Sequence, residues 1–132
     1  MSRVVVTGAS GFAGRHLTAA CQEAGDDVVP VSRADGVDLT DPEAASAAIA
    51  AARPEVVYHL AADAHVGESW RDPGSTLRDN MTIALNLLEA VRREAPGATV
   101  VTASSGEVYG SPERLPVEES APLRPQNPYA VS

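Results

Sequence analysis

The 132-residue sequence predicts an α/β protein, a doubly wound parallel sheet with helices on both faces. Short apolar runs rich in β-branched residues recur along the chain, stretches with helical apolar spacing separate them, and a glycine-rich turn joins the first run to the first helix. Strands that alternate with helices form right-handed βαβ units, and such units build a parallel sheet.

Arg3-Val-Val-Val-Thr7 is a continuous β-branched run ending at a glycine, the pattern of a strand buried on both faces. A helix is expected from about Phe12 to Ala24, with Phe12, Leu17, Ala20, Cys21 and Ala24 on its apolar face and Gly25 as its stop. Asp27-Val-Val-Pro-Val31 is the second strand, and Pro30, which has no amide hydrogen, counts against a central place in the sheet. Asp41-Pro42 is an N-cap followed by proline at the first helical position, so the Ala-rich stretch to Arg53 reads as a helix and Glu55–His59 as the third strand. A long helix should run from Pro73 to Glu94 with Leu77, Met81, Ala84, Leu85, Leu88 and Val91 inward, stopped by Pro96-Gly97. Ala98–Ala103 is the fourth strand. The five prolines between 110 and 128 mark an ordered surface loop.

Composition narrows the function. Apolar residues make up 44% of the chain and charged residues 21%, as in soluble globular proteins. No run approaches the roughly 18 apolar residues that span a bilayer, and no secretory leader opens the chain, so a cytoplasmic protein without a membrane role is expected. Eighteen acidic against ten basic residues give a net charge of −8, which disfavours nucleic acid as a partner. All ten basic residues are arginine, and the chain contains no lysine. The single cysteine, Cys21, falls at a buried helical position, which excludes a disulfide or zinc scaffold, and His16, His59 and His65 share no metal-ligand spacing. No metal site is expected.

The turn after the first strand reads Thr7-Gly8-Ala-Ser-Gly11-Phe12-Ala13-Gly14. Gly8 permits a tight turn, Gly11 allows backbone to approach a pyrophosphate, and Gly14 allows the helix to pack closely on the strand. The helix N-terminus adds free amides and a positive dipole end. Dinucleotide binding is the reading that this strand–turn–helix context supports. At the end of the second strand stands Ser32-Arg33 instead of an acidic residue. A hydroxyl and a guanidinium suit a 2′-phosphate and lean toward NADP(H), yet the pair reads equally as a plain surface loop, and Asp35 stands close by.

The G-x-x-G-x-x-G spacing resembles the short-chain dehydrogenase/reductase superfamily, and T-G-x-x-G-F-x-G resembles its extended branch. Further segments match in order. Asp38-Leu39 followed by Asp41 is similar to a family pair that contacts adenine, and His59-Leu60-Ala61-Ala62 to a segment beside the cofactor ribose. Asn80 stands where the family asparagine supports the sheet and the cofactor side, although Ile83-Ala84 replaces the usual G-T. An amide there, within an apolar stripe, must be hydrogen-bonded to be tolerated. Ser104-Ser105-Gly106-Glu107-Val-Tyr-Gly110 resembles the S-[ST]-x-x-V-Y-G of nucleotide-sugar epimerases and dehydratases. By that resemblance Ser105 hydrogen-bonds the sugar oxygen being oxidised, and Glu107 acts on the proton next to the keto group during water elimination. Pro125-Gln-Asn127-Pro-Tyr129-Ala-Val-Ser132 resembles P-x-S-P-Y-x-x-S-K, with Asn127 in place of serine and Tyr129 as the catalytic acid/base that also meets the cofactor.

The resemblance therefore implies a Rossmann-type NAD(P)-binding domain over residues 1–132, truncated after the fourth strand, with a substrate-binding region beyond it. The family lysine would be residue 133, so the 132 residues alone are expected to be inactive, with weak stability or association. Gly106, where dTDP-sugar dehydratases carry aspartate, favours a GDP-mannose dehydratase or a GDP-4-keto-6-deoxymannose reductase. Glu68-Ser69-Trp70 leans toward the reductase, and Val66-Gly67-Glu68-Ser69 toward a UDP-glucose 4-epimerase. A non-catalytic dinucleotide-binding module is the reading from a different class. A nucleotide sugar as substrate and a homodimeric whole protein complete the expectation.

Overall fold

The computed structural model describes residues 1–132. The strands are β1 (Arg3–Thr7), β2 (Asp27–Val31), β3 (Val56–His59) and β4 (Thr99–Thr102). The helices are α1 (Phe12–Glu23), α2 (Pro42–Ala52), α3 (Val66–Arg71), α4 (Pro73–Glu94) and α5 (Pro128–Val131), with single 3-10 turns at Arg33–Asp35 and Gly106–Tyr109. The four strands form one parallel sheet in the order β2-β1-β3-β4. Pro30 therefore lies on an edge strand, where its missing amide hydrogen leaves no interior ladder bond unmade.

The chain divides into two compact units: residues 1–62 with 82–103, and residues 63–81 with 104–132. The first holds the sheet. Because side chains alternate along each strand, the valines sort into two clusters, one on each face. Val5, Val31 and Val57 join Leu39, Ala45 and Ile49 of the α2 side with Ile83, Leu87, Ala90 and Val91 of α4. Val4 and Val6 join Cys21, with Leu17, Val56 and Tyr58 packed against them. Cys21 is buried as its spacing predicts, and burial, then the nearby Asp26, pushes its thiol up from the ordinary value. Asp41 caps α2 through a 2.9 Å bond that its carboxylate accepts from the Glu43 amide.

Two expected helix faces are corrected. On α1, Phe12 is 78% exposed and Ala20 and Ala24 are exposed as well, so the helix buries only Gly14 and Cys21 with Leu17 at the margin. On α4 the inward stripe is Thr76, Asn80, Ile83, Leu87, Ala90 and Val91, while Met81, Leu85 and Leu88 are exposed and Leu77 and Ala84 half-buried. The helix carries two apolar stripes at helical spacing, and the buried one includes two polar residues that a count of apolar positions passes over.

In the second unit α3, which has no strong sequence signal, is anchored by fully buried Ser69, whose hydroxyl donates to Val66 O at 2.7 Å. The proline-rich loop closes where the Arg124 amide donates to Val108 O at 2.9 Å. Gly110 makes that closure possible: its φ is +61°, and a Cβ there would overlap Arg124 O.

Candidate functional site

Thr7 ends β1, and the chain turns at once into the glycine loop. The Gly8 amide donates to Val31 O at 2.8 Å and the Gly11 amide to Gly8 O at 3.0 Å, which folds the loop back over the strand ends. Gly8 has φ +68°, and a Cβ there would lie 2.9 Å from the Ala61 amide nitrogen and from Leu60 carbonyl carbon. Only glycine permits that approach. A Cβ on Gly14 would sit 2.7 Å from Ala9 Cα and overlap Gly8 O, so the close packing Gly14 allows is against the loop itself more than against the strand. Gly11 is the N-cap of α1 and offers no side-chain acceptor. The amides of Phe12, Ala13 and Gly14 are thus left without intrahelical partners at the positive end of the dipole, as an anion requires.

Thr7 organises the neighbouring turn, a role its place at the end of a valine run does not advertise. Its hydroxyl accepts from the Leu60 and Ala61 amides, both at 3.1 Å, and stands 2.8 Å from His59 Nδ1. With both lone pairs engaged, the one hydroxyl hydrogen must go to His59 Nδ1. His59 is therefore neutral with its own hydrogen on Nε2, and burial lowers its pKa from the ordinary value. The geometry makes His59 a packed strand-end residue that, with Thr7, fixes Leu60, Ala61 and Ala62. The signal that could have revealed Thr7 is a polar residue closing a fully buried strand, since a buried hydroxyl needs partners.

At the end of β2 the Ser32 hydroxyl donates to Asp35 Oδ2, while exposed Arg33 enters no ion pair. The Asp38 carboxylate accepts from the Thr40 amide at 2.9 Å and the Thr40 hydroxyl at 2.8 Å, and these bonds lower its pKa. The Leu39 side chain lies in the core, and its carbonyl accepts from Asn86 Nδ2 at 2.9 Å.

The expected reacting residues lie in the second unit. Ser105 caps the Gly106–Tyr109 turn, its oxygen accepting from the Glu107 amide at 3.2 Å. Exposed Glu107 accepts at Oε2 from Asn127 Nδ2, 2.8 Å away. Asn127 also caps α5, which carries half-buried Tyr129, by accepting from the Ala130 amide at 2.7 Å. Asn80 uses its whole amide: Oδ1 accepts from the Asp63 amide at 2.7 Å, and Nδ2 donates to Asp63 O at 3.1 Å and to Ser132 Oγ at 2.8 Å. Ser132 passes its hydrogen to Tyr129 O at 2.8 Å. The buried amide in α4 is thereby satisfied, and it ties α5 to the turn at Asp63.

A dinucleotide fits the first unit on structural grounds alone. Gly8 and Gly14, where a Cβ would collide with backbone, let the loop fold tightly and end in an uncapped helix N-terminus. It also follows β1 and faces the turn after β3, where the chain order of the sheet reverses.

Comparison with known proteins agrees. The NAD dependent epimerase/dehydratase family matches residues 4–132. The GDP-6-deoxy-D-mannose reductase of Pseudomonas aeruginosa is 38% identical over 132 residues, covering 98% of this chain and 43% of its own length. Among solved structures, RMD from Pseudomonas aeruginosa complexed with NADPH superposes with a TM-score of 0.86 at 37% identity, over 99% of this chain and 44% of that one. The UDP-glucose 4-epimerase of Thermus thermophilus in complex with NAD gives a TM-score of 0.90 at 36% identity, over 98% of this chain and 46% of that one. The chain thus spans less than half the length of these relatives. With the glycine cradle, the parallel sheet and a match that runs almost from end to end, the chain belongs to the NAD dependent epimerase/dehydratase family.

Proposed function

We propose that this chain is the cofactor-binding part of an NAD(P)-dependent enzyme that oxidises or reduces a carbon of a nucleotide sugar, of the GDP-mannose 4,6-dehydratase or GDP-4-keto-6-deoxymannose reductase type. The observation that carries the reading is the arrangement of Ser105 and Glu107 on one 3-10 turn, with Glu107 hydrogen-bonded to the residue that caps the Tyr129 helix. The 38% identity to a GDP-6-deoxy-D-mannose reductase supports the GDP-sugar side.

NAD(P), when bound, supplies the redox partner for hydride transfer. The chain's own residues do the rest. Gly8, Gly11 and the amides of Phe12, Ala13 and Gly14 hold the pyrophosphate; Asp38 and the Leu60–Ala62 turn flank the adenosine half. Ser105 donates to the reacting sugar oxygen, and Tyr129 takes or returns the proton on that oxygen. Glu107 removes the proton next to the keto group when water is eliminated. Asn80 positions α5 through Ser132 and Asp63. NADP(H) is the proposed cofactor, because exposed Arg33 forms no direct ion pair and can meet a 2′-phosphate, although Asp38 lies near enough to feel its charge. Asp35, which holds the Ser32 hydroxyl, works against it.

The test is turnover by the protein that carries this sequence, offered GDP-mannose, GDP-4-keto-6-deoxymannose with NADPH or NADH, and UDP-glucose. Turnover of a GDP sugar, with Arg33→Ala weakening NADPH but not NADH, is the expected result. Turnover of UDP-glucose alone would replace this reading with a UDP-glucose 4-epimerase, which Val66-Gly67-Glu68-Ser69 and the Thermus likeness favour. Glu107→Gln should slow elimination; unchanged elimination removes Glu107 from the mechanism.

A further inference from the structure

We infer that Asn127 is a positioning residue that sets the Glu107 carboxylate relative to the Tyr129 helix; the inference rests on the roles proposed above for Glu107 and Tyr129.

Glu107 sits on an exposed turn, where nothing but a hydrogen bond can select one rotamer of a carboxylate with three freely turning side-chain bonds. The only side-chain partner it has is Asn127 Nδ2, at 2.8 Å and 20 residues away in sequence. Asn127 is itself fixed from the other side. Its Oδ1 accepts from the Ala130 amide at 2.7 Å, and its backbone carbonyl accepts from the Val131 amide at 3.3 Å, so the residue is built into the first turn of α5. The two partners agree on how the amide must face: an N–H requires the oxygen on one side, and a carboxylate requires the NH2 on the other. One planar group thereby couples the carboxylate of Glu107 to the start of the helix that carries Tyr129.

Asparagine is suited to this in a way that other good caps are not. Serine has one polar atom on a shorter stem and can cap the helix but cannot also reach Glu107. Aspartate caps equally well and sets a second negative charge against Glu107. The two substitutions therefore keep the helix cap and differ in what they do to Glu107, which separates positioning from stability.

The test uses the protein that carries this sequence with GDP-mannose, whose dehydration contains the elimination step assigned to Glu107. Asn127→Ser should lower kcat about tenfold, in line with the loss of one hydrogen bond to an ionised group, with KM for the sugar and the melting temperature little changed. Asn127→Asp should lower kcat further. In a Glu107→Gln background, Asn127→Ser should add at most about a twofold loss, because both changes remove the same contribution. If Glu107→Gln slows turnover but Asn127→Ser does not, or the two losses multiply, the role of Asn127 is overturned while that of Glu107 stands. If Glu107→Gln leaves dehydration unchanged, or GDP-mannose is not dehydrated, the reading of Glu107 fails and this inference fails with it.

Discussion

At the scale of single residues, the Thr7 hydroxyl is the most heavily committed group beside the glycine loop. It serves two part-buried amides and a buried histidine ring nitrogen, and Thr7→Val, which preserves shape, would take this partner from all three. A loss of about 1–3 kcal/mol in the free energy of unfolding is expected from the stranded groups, read from urea denaturation, and dinucleotide affinity should fall because the Leu60–Ala62 turn is released. Retained stability would mean that the hydroxyl is not what holds the turn. His59 adds a pH dependence whose sign follows from burial. Its folded-state pKa lies below the ordinary 6.5, so the unfolded chain takes up the proton first as pH falls. The stability it contributes is complete above about pH 6.5 and declines as pH drops below that value toward the folded-state pKa. Urea midpoints at about pH 7.5 and about pH 5.5 should differ in that direction, and His59→Gln should flatten the difference.

At the scale of elements, α4 offers a sharp comparison because Leu87 and Leu88 are neighbours in sequence and opposites in environment. Leu87 is fully buried in the cluster that joins sheet valines and α2, whereas Leu88 is 50% exposed. Leu87→Ala should cost about 2–5 kcal/mol and Leu88→Ala well under half of that, by chemical denaturation. Equal losses would contradict the stripe assigned to this helix. The bounds of β1, β2 and α4 were legible in the sequence, with β1 ending at Thr7-Gly8 and α4 stopping before Pro96-Gly97. The inward face of α4 was not. Met81, Leu85 and Leu88 satisfy helical spacing as well as Ile83, Leu87 and Val91 do, and periodicity alone cannot choose between two apolar stripes on one helix.

At the scale of the whole molecule, apolar surface is left open on the first unit. Leu85 is 67% exposed, Leu88 50% and Val101, on edge strand β4, 46%. Val101 pairs in register with Tyr58, on the side of the sheet whose cluster contains α1 as its only helix. Exposed strand edges and apolar faces drive association, which the net charge of −8 opposes only in part. The 132-residue chain on its own should therefore sediment above its monomer mass of 13.7 kDa at low micromolar concentration, and the double change Leu85→Glu, Leu88→Glu should shift it toward monomer. A stable monomer with intact leucines would count against this.

The sequence by itself determined the four strands, α1, α2 and α4, the glycine loop and the order of the site segments, because these depend on local rules: β-branched runs, caps, prolines, and glycines where a side chain would collide. It also marked Ser105, Glu107 and Tyr129 as a set. Tertiary structure alone decided which stripe of α4 is buried, that Thr7 holds the His59–Ala62 turn, and that Asn127 joins Glu107 to the helix of Tyr129. Those contacts link residues between 20 and 54 positions apart, and a polar group finds its partner across such a distance only when packing has brought the segments together.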